Sequence, residues 1–365
     1  MTKLTEGSKN NIVGSDKDAV RNETAKTPKP PLDTRIGRDP PFKFGQRYLT
    51  AETDVYEHNA CAKSEDEDKA EMFAPFRLLR DKIRCCELKL VQDNVTLDEE
   101  QISEIKKKIA FQHEHPVSDF QKQQFNSKPK KYWDIFYKNN HENFFKDRKW
   151  IQIEFPGIYA AMKPDAGPKT ILEIGCGPGN TLFPVVTKNE NPDLRMFGCD
   201  FSPVAIDLVK KNESYEPLHK SNNCFASVWD LANEECALPE GIEPHSVDIA
   251  VMIFVFSALH PDQWKFAIEN LKKLMKPGGK VYFRDYGRYD LAQVRFKKDR
   301  LLQDNFYIRG DGTRVYFFTE DEAYDIFVNG CGFKKEKIAT DRRLIVNRKR
   351  QLKMYRSWLQ AVFNA

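Results

Sequence analysis

Between residues 131 and 290, short apolar runs rich in β-branched and aromatic residues recur with amphipathic stretches between them. The runs Thr170–Ile174, Arg195–Cys199, Cys224–Val228, Val247–Phe254 and Lys280–Arg284 are too short for buried helices and predict strands. Helices are predicted after Gly179, after Pro203 and after Pro261. That alternation predicts an open, mostly parallel α/β sheet. The pattern then changes. Asp311-Gly312 reads as a hairpin turn, Thr319 with Glu322 as a helix cap, and Phe333–Phe363 as two strands around a basic connection.

The N-terminal side is different in kind. Residues 1–40 are polar, with the stretch Thr27–Pro31, and are expected to be a disordered tail. Residues 41–155 are expected to form an N-terminal extension that opens on an aromatic patch, Phe42–Asn59, and carries a charged helical insertion over about 62–130. Within it, Thr96 and Glu99 predict a capping box for a helix through about Phe111. Pro116, Pro129 and the polar run between them read as a linker. Residues 156–365 are expected to be the main domain.

Composition narrows the class. The sequence has 365 residues, 40% hydrophobic and 12% aromatic, enough for a sizeable core. The longest apolar run, Ile249–Phe256, is far short of the roughly 20 residues of a membrane span, so no membrane partner is expected. The first thirty residues mix acids with bases and suit neither a secretory nor a transit peptide. A soluble cytoplasmic or nuclear protein is the expectation. Eight cysteines without a Cys-x-x-Cys pair argue against disulfides and zinc, and His113-Glu114-His115 reads as solvated surface, so no metal is assigned.

The net charge of +4 hides a local asymmetry. Lys334–Arg356 holds ten Lys or Arg against two acids. A second basic cluster, Arg284, Arg288, Arg295, Lys297, Lys298, Arg300, Arg309 and Arg314, is interleaved with Tyr286, Tyr289, Phe296, Phe306 and Tyr307. Phosphate-pairing bases beside rings on which nucleobases stack suit looped or single-stranded RNA. A solvated basic face over ordinary core aromatics is the alternative.

The chemistry is concentrated in Ile171–Asn180, a strand running into a glycine-rich turn and a helix. Gly175 and Gly177 allow a ligand to approach the backbone, and the helix beyond offers free N–H groups. Dinucleotide enzymes want Gly-x-Gly-x-x-Gly. Here the spacing is Glu-x-Gly-x-Gly-x-Gly, and Asn180 stands where the last glycine of a dinucleotide site would be. Glu173 would repel a pyrophosphate but could orient the amino group of a methionine moiety, so S-adenosylmethionine fits better. Asp200 closes the second predicted strand, where a carboxylate can accept both ribose hydroxyls. Asp230 and Leu231 follow the third, where a carboxylate can accept the adenine amine. After the fourth strand there is no Asp/Asn-Pro-Pro-Tyr/Phe motif for exocyclic base amines, and no cysteine nucleophile for base C5. The acceptor is therefore expected to bring its own lone pair.

Four segments carry a family resemblance. They are Lys131–Tyr137 with Phe144–Arg148; Ile253–Pro261; Phe283–Gly287; and Asp311–Phe318. Together they resemble the eukaryotic tRNA N3-methylcytidine methyltransferases, and Phe44–Leu49, Val55–Ala60 and Val346–Arg356 resemble the branch acting on threonine tRNAs. The resemblance implies a class I, Rossmann-like fold: a mostly parallel seven-stranded sheet with a terminal antiparallel hairpin, plus an N-terminal RNA-binding extension. It implies methylation of cytidine at position 32 of the anticodon loop. The implied cofactor residues are Trp133, Tyr137, Glu173, Gly175, Gly177, Asp200, Asp230, Leu231 and Ile253. Trp133 and Tyr137, four apart, would share a helix face and lid the cofactor, although the pair alone also reads as a core stripe. Implied contacts to the tRNA anticodon arm are Lys146, Arg148, Arg284, Arg288, Arg309, Arg314 and Arg348. A helper, such as an aminoacyl-tRNA synthetase or tRNA-binding factor, is a further partner to expect.

Neutral cytosine keeps its N3 lone pair in the ring plane, so attack on a sulfonium methyl needs no general base. It needs the base unstacked, aligned, and its new positive charge stabilised. Asp285, at the end of the fifth strand, is the candidate for that last role; an ion pair with Arg284 or Arg288 is its alternative. Two other classes stay open at this level: a catalytically idle tRNA-binding partner, and a methyltransferase of proteins or small molecules.

Overall fold

The computed structural model describes residues 96–142, 144–145, 147–148, 150–347 and 352–365. The expected tail, the Phe42–Asn59 patch and the insertion up to residue 95 lie outside them, as do Lys146 and Arg348.

Five strands alternate with helices as the pattern predicts: β1 (Lys169–Ile174), β2 (Leu194–Asp200), β3 (Cys224–Val228), β4 (Val247–Ile253) and β5 (Met275–Tyr286). They pair in parallel in the order β3-β2-β1-β4-β5. Their central residues are buried because helices cover both faces of the sheet, while β5 carries an exposed stretch at Pro277 and Gly278. After β5 come three short strands, β6 (Leu301–Gln303), β7 (Phe306–Ile308) and β8 (Arg314–Tyr316), which form a separate antiparallel sheet. The turn between β7 and β8 holds Asp311-Gly312, with Gly312 at φ 82°. Finally β9 (Lys334–Asn347) and β10 (Leu352–Asn364) form the long hairpin, and β10 inserts antiparallel between β5 and β9. The result is a seven-stranded sheet, parallel except for its last hairpin.

Strand order reverses between β1 and β4, so their carboxyl ends splay apart and leave a crevice, the usual ligand position in an open α/β sheet. The glycine turn after β1 and the loop after β4 form its walls.

The N-terminal side corrects two expectations. Helix α1 (Glu99–Glu114) is capped by Asp98, whose carboxylate accepts from Gln101 N–H at 2.7 Å while the Gln101 amide returns the bond; Thr96 lies two residues too early to cap it. The expected linker between Pro116 and Pro129 contains helix α2 (Asp119–Ser127), capped by Ser118, and Pro129 begins helix α3 (Pro129–Asn140) at its first turn, where a missing N–H costs nothing. These helices are docked. Gln112 of α1 is buried and donates to the carbonyls of Gln293 (3.0 Å) and Phe296 (2.9 Å) while accepting from the Tyr307 hydroxyl (2.9 Å). Val117 joins the main core and donates its N–H to Leu301. The first helices thus grip the small sheet. No described helix is long and apolar enough to cross a membrane.

Candidate active site

The turn after β1 is built by its glycines. Gly175 lies at φ 66°, Gly177 at φ 54°, and an added Cβ at Gly175 would run into the side chain of Val255. The bend brings Gly177 N–H to 3.0 Å from Asp200 Oδ2 at the end of β2. Asp200 Oδ1 accepts from Ser202 N–H at 2.9 Å, and the Tyr137 hydroxyl donates to Oδ2 at 3.4 Å. Burial pushes the Asp200 carboxyl up to about 6, against the pull of those N–H donors toward the ionised form. Trp133 stacks on Tyr137 with centroids 5.8 Å apart, and α3 rests on the helix Pro203–Lys211 through Phe136, Tyr137 and Ala205. The two residues share a face, and of the pair Tyr137 reaches the glycine turn while Trp133 packs with Phe136, Phe145, Val204 and Leu208.

Glu173 is wholly buried, and its Oε1 lies 3.2 Å from the Arg148 guanidinium, which also donates to Thr181 at 2.8 Å. Burial raises the Glu173 carboxyl to about 7, with Arg148 opposing. The segment that carries Arg148 lies across the glycine turn: Arg148 N–H donates to the Asn180 carbonyl at 2.9 Å, and Asn180 Nδ2 to Asp147 Oδ1 at 3.3 Å. Arg148 therefore belongs to the crevice, where the sequence places an RNA contact. Asp230 is exposed, with Oδ1 held by Ala232 N–H at 2.9 Å; Leu231 and Ile253 are buried beside the crevice.

A methyltransferase-domain family model matches residues 172–281, from β1 into β5. The chain is 55% identical over 331 residues to the tRNA(Thr) (cytosine(32)-N(3))-methyltransferase of Saccharomyces cerevisiae, covering 91% of this chain and 47% of that protein, so it spans about half the length of that relative. It is 47% identical to the tRNA N(3)-methylcytidine methyltransferase trm140 of Schizosaccharomyces pombe, covering 88% of this chain and 91% of that one. The chain belongs to the tRNA N3-methylcytidine methyltransferase family. A vertebrate member, the tRNA N(3)-cytidine methyltransferase METTL2 of Danio rerio, is 38% identical, with 88% of each chain covered.

The cofactor of this methyltransferase fold is S-adenosylmethionine, and the residues present fit it. Glycine at 177 keeps the backbone open beside the Tyr137 hydroxyl, from which an added Cβ would stand 3.2 Å, filling the cradle. Glu173 and Asp200 are carboxyls destabilised as anions by burial, a donor set that a ligand with sulfonium and ammonium charges would satisfy and a pyrophosphate would not.

The basic cluster of this family member divides sharply. Arg284 is fully buried: it sits over Trp150 (4.9 Å) and Trp358 (5.1 Å), pairs with Asp341 at 2.7 Å and donates to Gln360. It holds β5 to the final hairpin and does not face RNA. Arg314 is 4% exposed, lies over Phe306, and reaches Asn126 of α2 and Gln263. Arg288 makes a bidentate pair with Glu322 (2.7 and 2.9 Å) and donates to the Phe317 carbonyl. Arg309 is half-buried, with its guanidinium 5.2 Å from the Tyr286 ring centre. Of the interleaved aromatics, Phe306 and Tyr307 are core residues of the small sheet.

Asp285 is corrected as well. It is 0% exposed, and its oxygens accept from Tyr286 N–H (2.8 Å) and Ser257 N–H (2.9 Å). Burial raises it to about 6. Arg284 pairs with Asp341 and Arg288 with Glu322, while the positive charge that acts on Asp285 is that of Arg309; Asp285 pins the loop after β4 to the end of β5, and so acts as a positioning residue.

Proposed function

We propose that this chain transfers a methyl group from S-adenosylmethionine to N3 of cytidine at position 32 of tRNA, in threonine tRNAs. S-adenosylmethionine supplies the electrophilic methyl carbon on a sulfonium. Glu173 and Arg148 would hold its amino-acid end, Asp200 the ribose, and Asp230 with Leu231 the adenine, while Trp133 and Tyr137 exclude water. Gly175, Gly177 and Ile253 leave the room those contacts require. Arg309 would meet the RNA; Lys146 and Arg348 are proposed as further contacts to the anticodon arm, and the extension over residues 41–155 is proposed to bind tRNA.

The observation that carries this reading is the state of Asp285. A carboxylate at this strand end would ordinarily serve as a base, yet both of its oxygens are committed to backbone N–H groups. A nucleophile that brings a lone pair and no proton to lose needs no base at this position, and N3 of neutral cytosine is such a group, which supports the reading. The test is incubation of the purified chain with labelled S-adenosylmethionine and threonine tRNA, then digestion to nucleosides. Label in N3-methylcytidine that vanishes when cytidine 32 is replaced by uridine is the expected result; label in protein or in another nucleoside overturns the reading. Addition of an aminoacyl-tRNA synthetase to the same assay tests the proposed helper through its effect on KM.

A further inference from the structure

Tyr286 ends β5 one residue after Asp285, and three groups surround its ring. Phe254 lies 4.8 Å away at 46°, Phe317 lies 5.6 Å away at 61°, and the Arg309 guanidinium lies 5.2 Å above the ring centre. Phe254 reaches that position through a left-handed backbone, φ 58°, with its N–H on the Arg284 carbonyl at 2.8 Å. Tyr286 ends β5 beside the carboxyl end of β4, where Ile253 pairs with Arg284, so its ring stands where the loop after β4 leaves the sheet. Alone among Arg284, Arg288, Arg309 and Arg314, Arg309 has no side-chain hydrogen bond or ion pair to a described residue.

We infer that the face of Tyr286 receives the accepting cytosine and stabilises the positive charge that methylation creates there; the inference rests on the function proposed above. In that reaction the N3 lone pair forms the new N–C bond, the C–S bond breaks, and its electron pair stays on sulfur. No proton leaves. The charge moves from sulfonium to base, where it spreads over N3, C4 and N4 as a planar amidinium. A guanidinium is the closest side-chain likeness of that ion: planar, delocalised, with donors only at its edge. The face that holds Arg309 thus has the character to hold the product cation, with Phe254 as a second wall. Stacking there acts most strongly when the charge has arrived, which is the condition for accelerating the step. Arg309, which has no side-chain hydrogen bond to a described residue and is drawn only by the charge of Asp285, would yield the ring to the base and turn to a phosphate.

Cation–π strength sets the expected size, about three- to thirty-fold in affinity or rate. The test uses the full chain with S-adenosylhomocysteine and anticodon-arm hairpins bearing cytidine or N3-methylcytidine at position 32, near neutral pH. Wild type is expected to bind the methylated hairpin more tightly by a factor in that range. Tyr286→Phe should keep the preference and Tyr286→Leu should lose it; phenylalanines of increasing fluorination at 286 should lower it stepwise. A preference that survives Tyr286→Leu, or that ignores fluorination, overturns the inference. Failure of wild type to form N3-methylcytidine at all would instead overturn the proposed function.

Discussion

Replacing Arg284 with methionine separates a buried scaffold from an RNA contact. The guanidinium lies between Trp150 and Trp358, carries the Asp341 carboxylate at 2.7 Å, and joins β5 to β10 through Gln360. Removing one partner of a buried ion pair costs about 3–5 kcal/mol, because the other charge is left in low dielectric. Here Arg343 also holds Asp341, with Nε 2.6 Å from Oδ1, so the lower figure, about 3 kcal/mol, is expected. For a protein of this size that is roughly a 4 °C fall in melting temperature. The same variant is then titrated with tRNA across a range of salt, well below its melting temperature. A lost phosphate contact would flatten the plot of log affinity against log salt by about 0.7–0.9. Arg284→Met should leave that slope alone while melting early. A wild-type melting temperature with a slope reduced by about one would refute the scaffold assignment.

Gly175→Ala places a methyl group against Val255 at a backbone φ of 66°, so S-adenosylhomocysteine binding measured by calorimetry should weaken by at least tenfold with the fold retained. Glu173 titrates at about 7 and Asp200 at about 6, both above ordinary carboxyls. Their buried anions cost stability above those values and the cost fades as pH falls, so the ligand-free protein should gain stability from this pair between pH 8 and 5. Binding of cationic S-adenosylmethionine favours the anions, so its Kd should rise through the same window, approaching tenfold per pH unit for each proton taken up; an Asp200→Asn variant should show a shallower profile. Asp285→Asn offers one carbonyl oxygen to two N–H donors and turns an amide donor toward the other, so it should cost about 1–3 kcal/mol in urea unfolding and lower kcat through the Phe254–Ser257 loop. Full kcat in that variant would remove the positioning role.

The parallel strands were legible because each is an apolar run bounded by a turn, and the acids at their ends were legible because a glycine bend fixes the register of all that follows. β5 was read too short: Pro277-Gly278-Gly279 looks like punctuation, yet the strand begins before it at Met275. The basic residues were not separable by sequence. Arg284, Arg288, Arg309 and Arg314 share one composition and one spacing, but their partners, Asp341, Glu322 and Asn126, come from distant segments, and only folding decides which charge is desolvated. The pairing of Arg148 is hidden for the same reason, since Glu173 is its neighbour only in space. A hint existed: Asp147-Arg148 lies just before the domain that contains the glycine turn, short enough to fold back onto it. The helix in the supposed linker was hidden because α2 is polar around most of its surface and is held mainly at its ends.

The position of β10 between β5 and β9 has a consequence for how the molecule is made. On the ribosome, β1 to β5 can assemble as they emerge, but the flank of β5 stays bare until residues 352–364 appear, long after its own synthesis. That exposed edge, with Val281 and Phe283 beside it, is the kind of template on which nascent chains stick to one another. Loss of these late residues would therefore be felt first as poor yield and chaperone dependence, before any effect on the reaction could be measured.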